Sequence, residues 1–299
     1  MRSMLSVVLV LAVLGSPDLA AQRKLKVHIS VDMEGIAGVA HPRPTERGDQ
    51  GYPAAAALMI GEANAAIEGA VAAGADEVVV NDSHGSMFNL DPAALHEAAR
   101  LITGQKAWSM VEGAGPDAGV DVALCVGYHA RAGHPTGTIA HTYSYGPVET
   151  RLAGRAVGET GINAMILGAW GVPIGMVAGD DALADEVAAW LPAAERVVVK
   201  HGIGRHAASA LHPARARALV RAGAERAVRA AAAGAFAPLV LPAPIVLETE
   251  WSNAAEADLA AVAPLATRVG DRTVRVETDD PVLAYRAFLA GIRLASLAA

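Results

Sequence analysis

Apolar positions along the chain follow two alternating rhythms. Short runs rich in Val, Ile and Leu occupy residues 25–31, 77–80, 123–127, 172–178 and 196–200. Between several of them lie Ala-rich stretches at 54–73, 161–170 and 182–191, each long enough for a helix. Buried strands separated by helices predict an α/β fold, a mostly parallel sheet flanked by helices. A further helix is expected over 213–233, carrying Arg215, Arg217, Arg221, Arg226 and Arg229, with Gly234 as its stop. The Pro-rich stretch 238–244 reads as a linker to strands near 245–250 and 273–277 and a last helix. The expected organisation is an α/β unit over 22–237 followed by a smaller C-terminal α/β portion, 238–299, either part of the same unit or a small subdomain.

The first residues obey a different pattern. Arg2 precedes an apolar run over 4–14, then Gly15, Ser16, Pro17 and a small-residue stretch ending Leu19-Ala20-Ala21. A short positive region, a short apolar core and a small-residue site predict an export signal at 1–21, cleaved before Gln22. The run is shorter than the roughly 20 apolar residues a bilayer span requires. The expectation is an exported protein, periplasmic or extracellular, with no stable membrane insertion after cleavage.

Composition narrows the choice. Of 299 residues, 53% are hydrophobic and 18% charged, too apolar for a disordered chain. A net charge of −7 offers no basic surplus for phosphates, so nucleic acid is not an expected partner. The single cysteine, Cys125, excludes an internal disulfide and falls in an apolar run, where it reads as a core residue. Aromatics make up only 4%, so Ala, Val and Leu must fill the core.

Candidate chemistry gathers where the strands end. The first expected strand finishes Asp32-Met33-Glu34, the second Asn81-Asp82-Ser83-His84, and the third Gly127-Tyr128-His129. Ligands of open α/β sheets bind at the carboxyl ends of strands. Each residue has a plainer reading: Asp32, Glu34 and Asp82 as turn residues, His129 and His141 as interior histidines, Glu159 as a helix-start carboxylate. Convergence of three strands on one edge favours a site. Asp82 is expected either to orient a ligand histidine or to cap a helix.

Six motifs carry a resemblance: Ser-Val-Asp-Met-Glu-Gly at 30–35, Val-Asn-Asp-Ser-His at 80–84, Ser-Met-Val-Glu-Gly at 109–113, Gly-Tyr-His-Ala-Arg-Ala at 127–132, Val-Gly-Glu at 157–159 and Met-Val-Ala-Gly-Asp-Asp at 176–181. In this order they resemble the bacterial zinc-dependent D-aminopeptidases. The resemblance implies two zinc ions held by Asp32, Glu34, His84, His129 and Glu159, with Asp32 bridging them. It implies His141 as the catalytic histidine, with His134, in a segment one residue longer than the family pattern, as the alternative. Three carboxylates and two neutral imidazoles would leave two divalent ions room for one hydroxide, and the thiolate-free donor set would also accept Mn²⁺ or Co²⁺. The implied activity is hydrolysis of short D-amino-acid peptides such as D-Ala-D-Ala, in a homo-oligomeric ring, a decamer being the expected form. The rival readings are a related metallohydrolase acting on L-peptides, amides or esters, and an exported non-catalytic protein that binds metal or peptide.

Overall fold

The computed structural model describes residues 24–298, so the expected export signal at 1–21 lies outside the described residues. In chain order the elements are β1 (Lys26–Val31), α1 (Tyr52–Ala72), β2 (Glu77–Asp82), β3 (Ala99–Ile102), β4 (Val122–Tyr128), β5 (Pro147–Leu152), β6 (Arg155–Ala156), α2 (Glu159–Ala169) and β7 (Ile174–Asp180). There follow α3 (Asp181–Trp190), β8 (Glu195–Gly204), β9 (Ala207–Ala210), α4 (Pro213–Ala232), β10 (Ile245–Trp251), α5 (Ala254–Ala260), β11 (Ala266–Arg268), β12 (Thr273–Thr278) and α6 (Pro281–Ala295).

Seven strands form the main sheet in the order β3-β2-β1-β4-β7-β8-β9, parallel except for the terminal β8–β9 hairpin. Side chains alternate across a strand, and β4 shows what that does here. Val122, Leu124 and Val126 enter the core beneath α1 and α4, while Ala123 and Cys125 enter the opposite core with Ile162 and Met165 of α2. Both faces are therefore covered, which is why these strands read as unbroken apolar runs. The Ala-rich helices serve close packing: a Cβ on Gly69 of α1 would meet the Arg221 carbonyl oxygen of α4 at 2.2 Å.

A second, antiparallel sheet runs β11-β12-β10-β5-β6. It joins the tail to the middle of the chain, because β10 pairs with β5, Leu247 opposite Leu152. Leu247, Val274 and Val276 share one core with Trp190 and with Tyr285 and Phe288 of α6. The expected C-terminal strands and helix are present, but they complete a sheet begun about a hundred residues earlier.

The order of the main sheet positions the site. β1, β2 and β3 proceed to one side and β4, β7 and β8 to the other, so the direction of winding reverses between β1 and β4. Such a switch point opens a crevice at the carboxyl ends of its two strands. The backbones there close tightly: Gly35 N–H donates to the Gly127 carbonyl at 2.7 Å. A Cβ on Gly127, whose φ is +71°, would lie 2.1 Å from the Asp32 carbonyl oxygen.

Candidate metal centre

Asp32 and Glu34 leave the end of β1, His84 the end of β2 and His129 the end of β4, while Glu159 opens α2 and His141 lies in the loop before β5. The fold brings all six together. Asp32 Oδ1 and Glu34 Oε2 stand 3.2 Å and 3.0 Å from His84 Nδ1. Asp32 Oδ2 and Glu159 Oε1 each lie 3.4 Å from His129 Nε2, and Glu159 Oε1 lies 3.7 Å from His141 Nε2. Two groups of candidate ligands result, Asp32/Glu34/His84 and His129/His141/Glu159, the donor atoms of each within 4.8 Å of one another. Asp32 reaches both with its two oxygens.

The histidine tautomers follow from what their outer nitrogens touch. His84 Nε2 meets the Thr45 carbonyl at 3.0 Å, His129 Nδ1 the Ala130 carbonyl at 3.0 Å and His141 Nδ1 the Ile139 carbonyl at 2.9 Å. A carbonyl only accepts, so each of these nitrogens carries the hydrogen. In the neutral ring the other nitrogen is then a lone pair directed at carboxylate oxygens, an arrangement that repels unless a cation or a further proton sits between. His129 Nε2 is buried with no hydrogen-bond partner. Asp32, Glu34 and Glu159 are each 3% exposed, and among the described residues no Lys or Arg side chain pairs with them. The donor set of imidazole nitrogen and carboxylate oxygen, with backbone carbonyls fixing the rings from behind, fits divalent transition metals such as zinc.

Proton affinities express the same demand for positive charge. Burial, reinforced by Glu34, pushes Asp32 up to about 8. Burial opposes charge on His84 and His129, yet the carboxylates prevail, lifting His84 well above its ordinary value and His129 to about 10. Those imidazoles in turn hold Glu34 and Glu159 below the usual carboxylate range despite burial. His141 goes the other way, lowered by burial and by His129, on which it stacks at 4.0 Å.

A cavity of about 170 Å³ opens onto Asp32, His84, His141 and Glu159 and is lined as well by Met87, Ser109, Met110, Tyr143 and Tyr145. Met87, Ser109 and Tyr143 have left-handed backbones, φ 60°, 52° and 61°, as does Ile139 beside His141 at φ 55°. For residues other than glycine such conformations cost on the order of 1–3 kcal/mol and cluster where function demands them.

Several supporting residues were not evident in the sequence. Glu186 of α3 accepts from Arg131 N–H at 2.9 Å and Gly158 N–H at 2.7 Å, tying together the segments that carry His129 and Glu159. Tyr143 N–H donates to Glu159 Oε1 at 2.6 Å. Its hydroxyl donates to Asn163 at 2.6 Å and lies 3.2 Å from the Tyr285 hydroxyl, linking α6 to the site. Nothing in local sequence marks Glu186 or Tyr285, since each acts through a segment distant along the chain.

Two expectations change. Asp82 neither orients an imidazole nor caps a helix: it accepts from the N–H groups of Asn89 and Leu90 and from the Asn89 amide, closing the loop after His84. Asn89 in turn donates to the His84 carbonyl at 2.6 Å. His134 caps its own turn, its Nδ1 accepting from Gly137 N–H at 3.0 Å, and belongs to neither group of candidate ligands, whereas His141 does. His141 is thus placed where it could serve as a ligand as well as a proton carrier. Cys125 is buried in the core, its thiol pushed up to about 12 by burial, which leaves it inert as a nucleophile.

Comparison with known proteins places these features in a family context. The M55 peptidase family model, described as D-aminopeptidase, matches residues 25–290. A D-aminopeptidase of Bacillus subtilis (strain 168) is 38% identical over 273 residues, covering 91% of this chain and 98% of the relative. The solved structure of DppA from Bacillus subtilis, a Zn-dependent D-aminopeptidase and self-compartmentalizing protease, superposes with a TM-score of 0.86 at 37% identity, over 91% of this chain and 98% of that one.

Proposed function

The chain belongs to the M55 D-aminopeptidase family, and from that premise we propose that it is a zinc-dependent aminopeptidase removing the N-terminal residue from short D-amino-acid peptides, D-Ala-D-Ala among them. The observation that carries the metal is the orientation of three imidazoles. Each commits one N–H to a main-chain carbonyl and turns its other nitrogen toward buried carboxylates. Asp32, Glu34 and His84 would hold one ion, and His129, Glu159 and Asp32 would hold a second. Two divalent cations, when bound, supply polarisation of the scissile carbonyl and an acidified water.

His141 moves the proton. With Nδ1–H fixed on the Ile139 carbonyl, Nε2 is the free base facing the cavity. It takes a proton from the attacking water and returns it to the leaving amine. Asp32 reaches both groups, so neither ligand set needs His141 to be complete. The small cavity and its Met87 and Met110 walls favour short substrates with small side chains. Preference for the D-configuration rests on the family premise. The self-compartmentalizing assembly of the Bacillus subtilis enzyme supports a homo-oligomeric ring, a decamer being the form we expect. The sequence of residues 1–21 supports export, to where cell-wall D-peptides are met.

The test is hydrolysis of D-Ala-D-Ala beside L-Ala-L-Ala, before and after chelation and with zinc restored. D-selective turnover that disappears with chelator and returns with zinc is expected. Turnover indifferent to chelation would overturn the metal, and L-selective turnover would overturn the substrate.

A further inference from the structure

Next to Tyr145, which walls the cavity, stands an exposed cation, Arg205, with no carboxylate partner among the described residues. The Tyr145 ring lies 4.7 Å from the His141 ring and walls the cavity. The Arg205 guanidinium carbon stands 5.5 Å from the centre of the Tyr145 ring, on the turn between β8 and β9. One of its nitrogens, Nη1, donates to the Ala140 carbonyl, and Arg205's own carbonyl accepts from Ile139 N–H at 2.8 Å. The side chain is thus moored to the loop of His141 at one corner only. A guanidinium carries five N–H donors, and its free edge matches a carboxylate in bidentate geometry. Among the described residues no carboxylate pairs with it, and its only side-chain hydrogen bond there is the one to Ala140.

We propose that Arg205 is a specificity-determining residue that binds the free C-terminal carboxylate of a di- or tripeptide lying over Tyr145. The inference rests on the aminopeptidase reading above, and the direction of the substrate follows from it. His141 serves the leaving amine, so the residues on the leaving side extend past His141 toward Tyr145 and Arg205. An extended peptide advances about 3.5 Å per residue. The two steps, 4.7 Å from ring to ring and 5.5 Å from ring to guanidinium, therefore suit a carboxylate one or two residues beyond the scissile bond. A longer peptide would carry its carboxylate past the cation. Arg205 thus limits substrate length from beside the Tyr145 wall of the cavity.

The experiment compares D-Ala-D-Ala with its C-terminal amide, in the wild-type enzyme and in Arg205→Met and Arg205→Lys. The wild type should prefer the free acid at least tenfold in kcat/KM. In Arg205→Met that preference should collapse toward one, mainly through a higher KM for the acid, and Arg205→Lys should restore part of it. A Met variant that loses both substrates by the same factor, keeping the wild-type ratio, would make Arg205 a mere brace for the His141 loop and overturn the proposal. Equal turnover of acid and amide by the wild type would overturn it as well. Failure of the wild type on both substrates would instead sink the aminopeptidase reading and the proposal together, a result that no Arg205 variant could imitate.

Discussion

Glu34 contributes nothing to the core; its carboxylate is buried against His84, and among the described residues no Lys or Arg side chain pairs with it. A buried charge of that kind is retained only where a cation completes it. Glu34→Gln keeps the shape and removes the charge. It should cost one of the two zinc ions and lower kcat/KM by at least about a hundredfold, more than supporting residues of metal sites usually cost. Near-normal activity with a normal fold would remove Glu34 from the centre. His28 provides a separate test in stability. Buried at 0% exposure on β1, its Nε2–H donates to the Glu112 carbonyl at 2.9 Å, while Nδ1 has no partner, and burial lowers its pKa to about 4. The unfolded chain takes up that proton near 6.5, so between pH 6.5 and 4 the unfolded state binds more protons and stability falls as pH falls. The loss should reach about 3 kcal/mol at roughly 1.4 kcal/mol per pH unit. His28→Gln should flatten the slope of denaturant stability across that window; an unchanged slope would contradict it. At this scale the sequence was informative where residue type and strand end coincide, as at Asp32, Glu34, His84 and His129. It was silent on the tautomers, which depend on how the chain folds the Thr45 carbonyl onto His84 and turns the neighbouring Ala130 and Ile139 carbonyls onto His129 and His141.

Elements hold these residues in register. Gly127, next to last in β4, has a left-handed φ of +71°, and its missing Cβ lets the Asp32 carbonyl approach. Gly127→Ala should destabilise the fold by about 2–3 kcal/mol, combining overpacking with backbone strain, and should displace His129; a melting temperature equal to wild type would contradict the close approach. Glu186 joins the end of β4 to the start of α2 through two main-chain N–H groups. Removing it in Glu186→Ala leaves both donors unsatisfied and should weaken zinc affinity about 10–100-fold. Competition titration with a zinc indicator would read this, and wild-type affinity would show that α3 plays no part in the site. Strands β1, β2, β4 and β7 were legible because helices cover both faces and leave no polar alternation. β3, β6, β9 and β11 are only two to four residues long and lie in the outer parts of their sheets, where local pattern is weak.

The whole molecule joins two sheets that share one site. The parallel sheet was readable from its alternation with helices, but the antiparallel one was not, because β10 finds β5 across about a hundred residues. That pairing makes the tail indispensable: residues after 237 supply β10, the strand between β5 and β12, and Tyr285, whose hydroxyl lies 3.2 Å from that of Tyr143. A chain ending at residue 237 should therefore show no cooperative thermal transition, since β5 loses its partner and one core its far wall. A truncated chain that melts cooperatively near the wild-type temperature would show the first 237 residues to be self-sufficient. We propose that one crevice, at the switch between β1 and β4, assembles two adjoining cation sites that Asp32 would join. Counting zinc bound per chain in the dialysed enzyme tests it most directly. Two ions per chain in the wild type, with fewer than one retained in Asp32→Ala, is the predicted result; one ion or none in the wild type would contradict it.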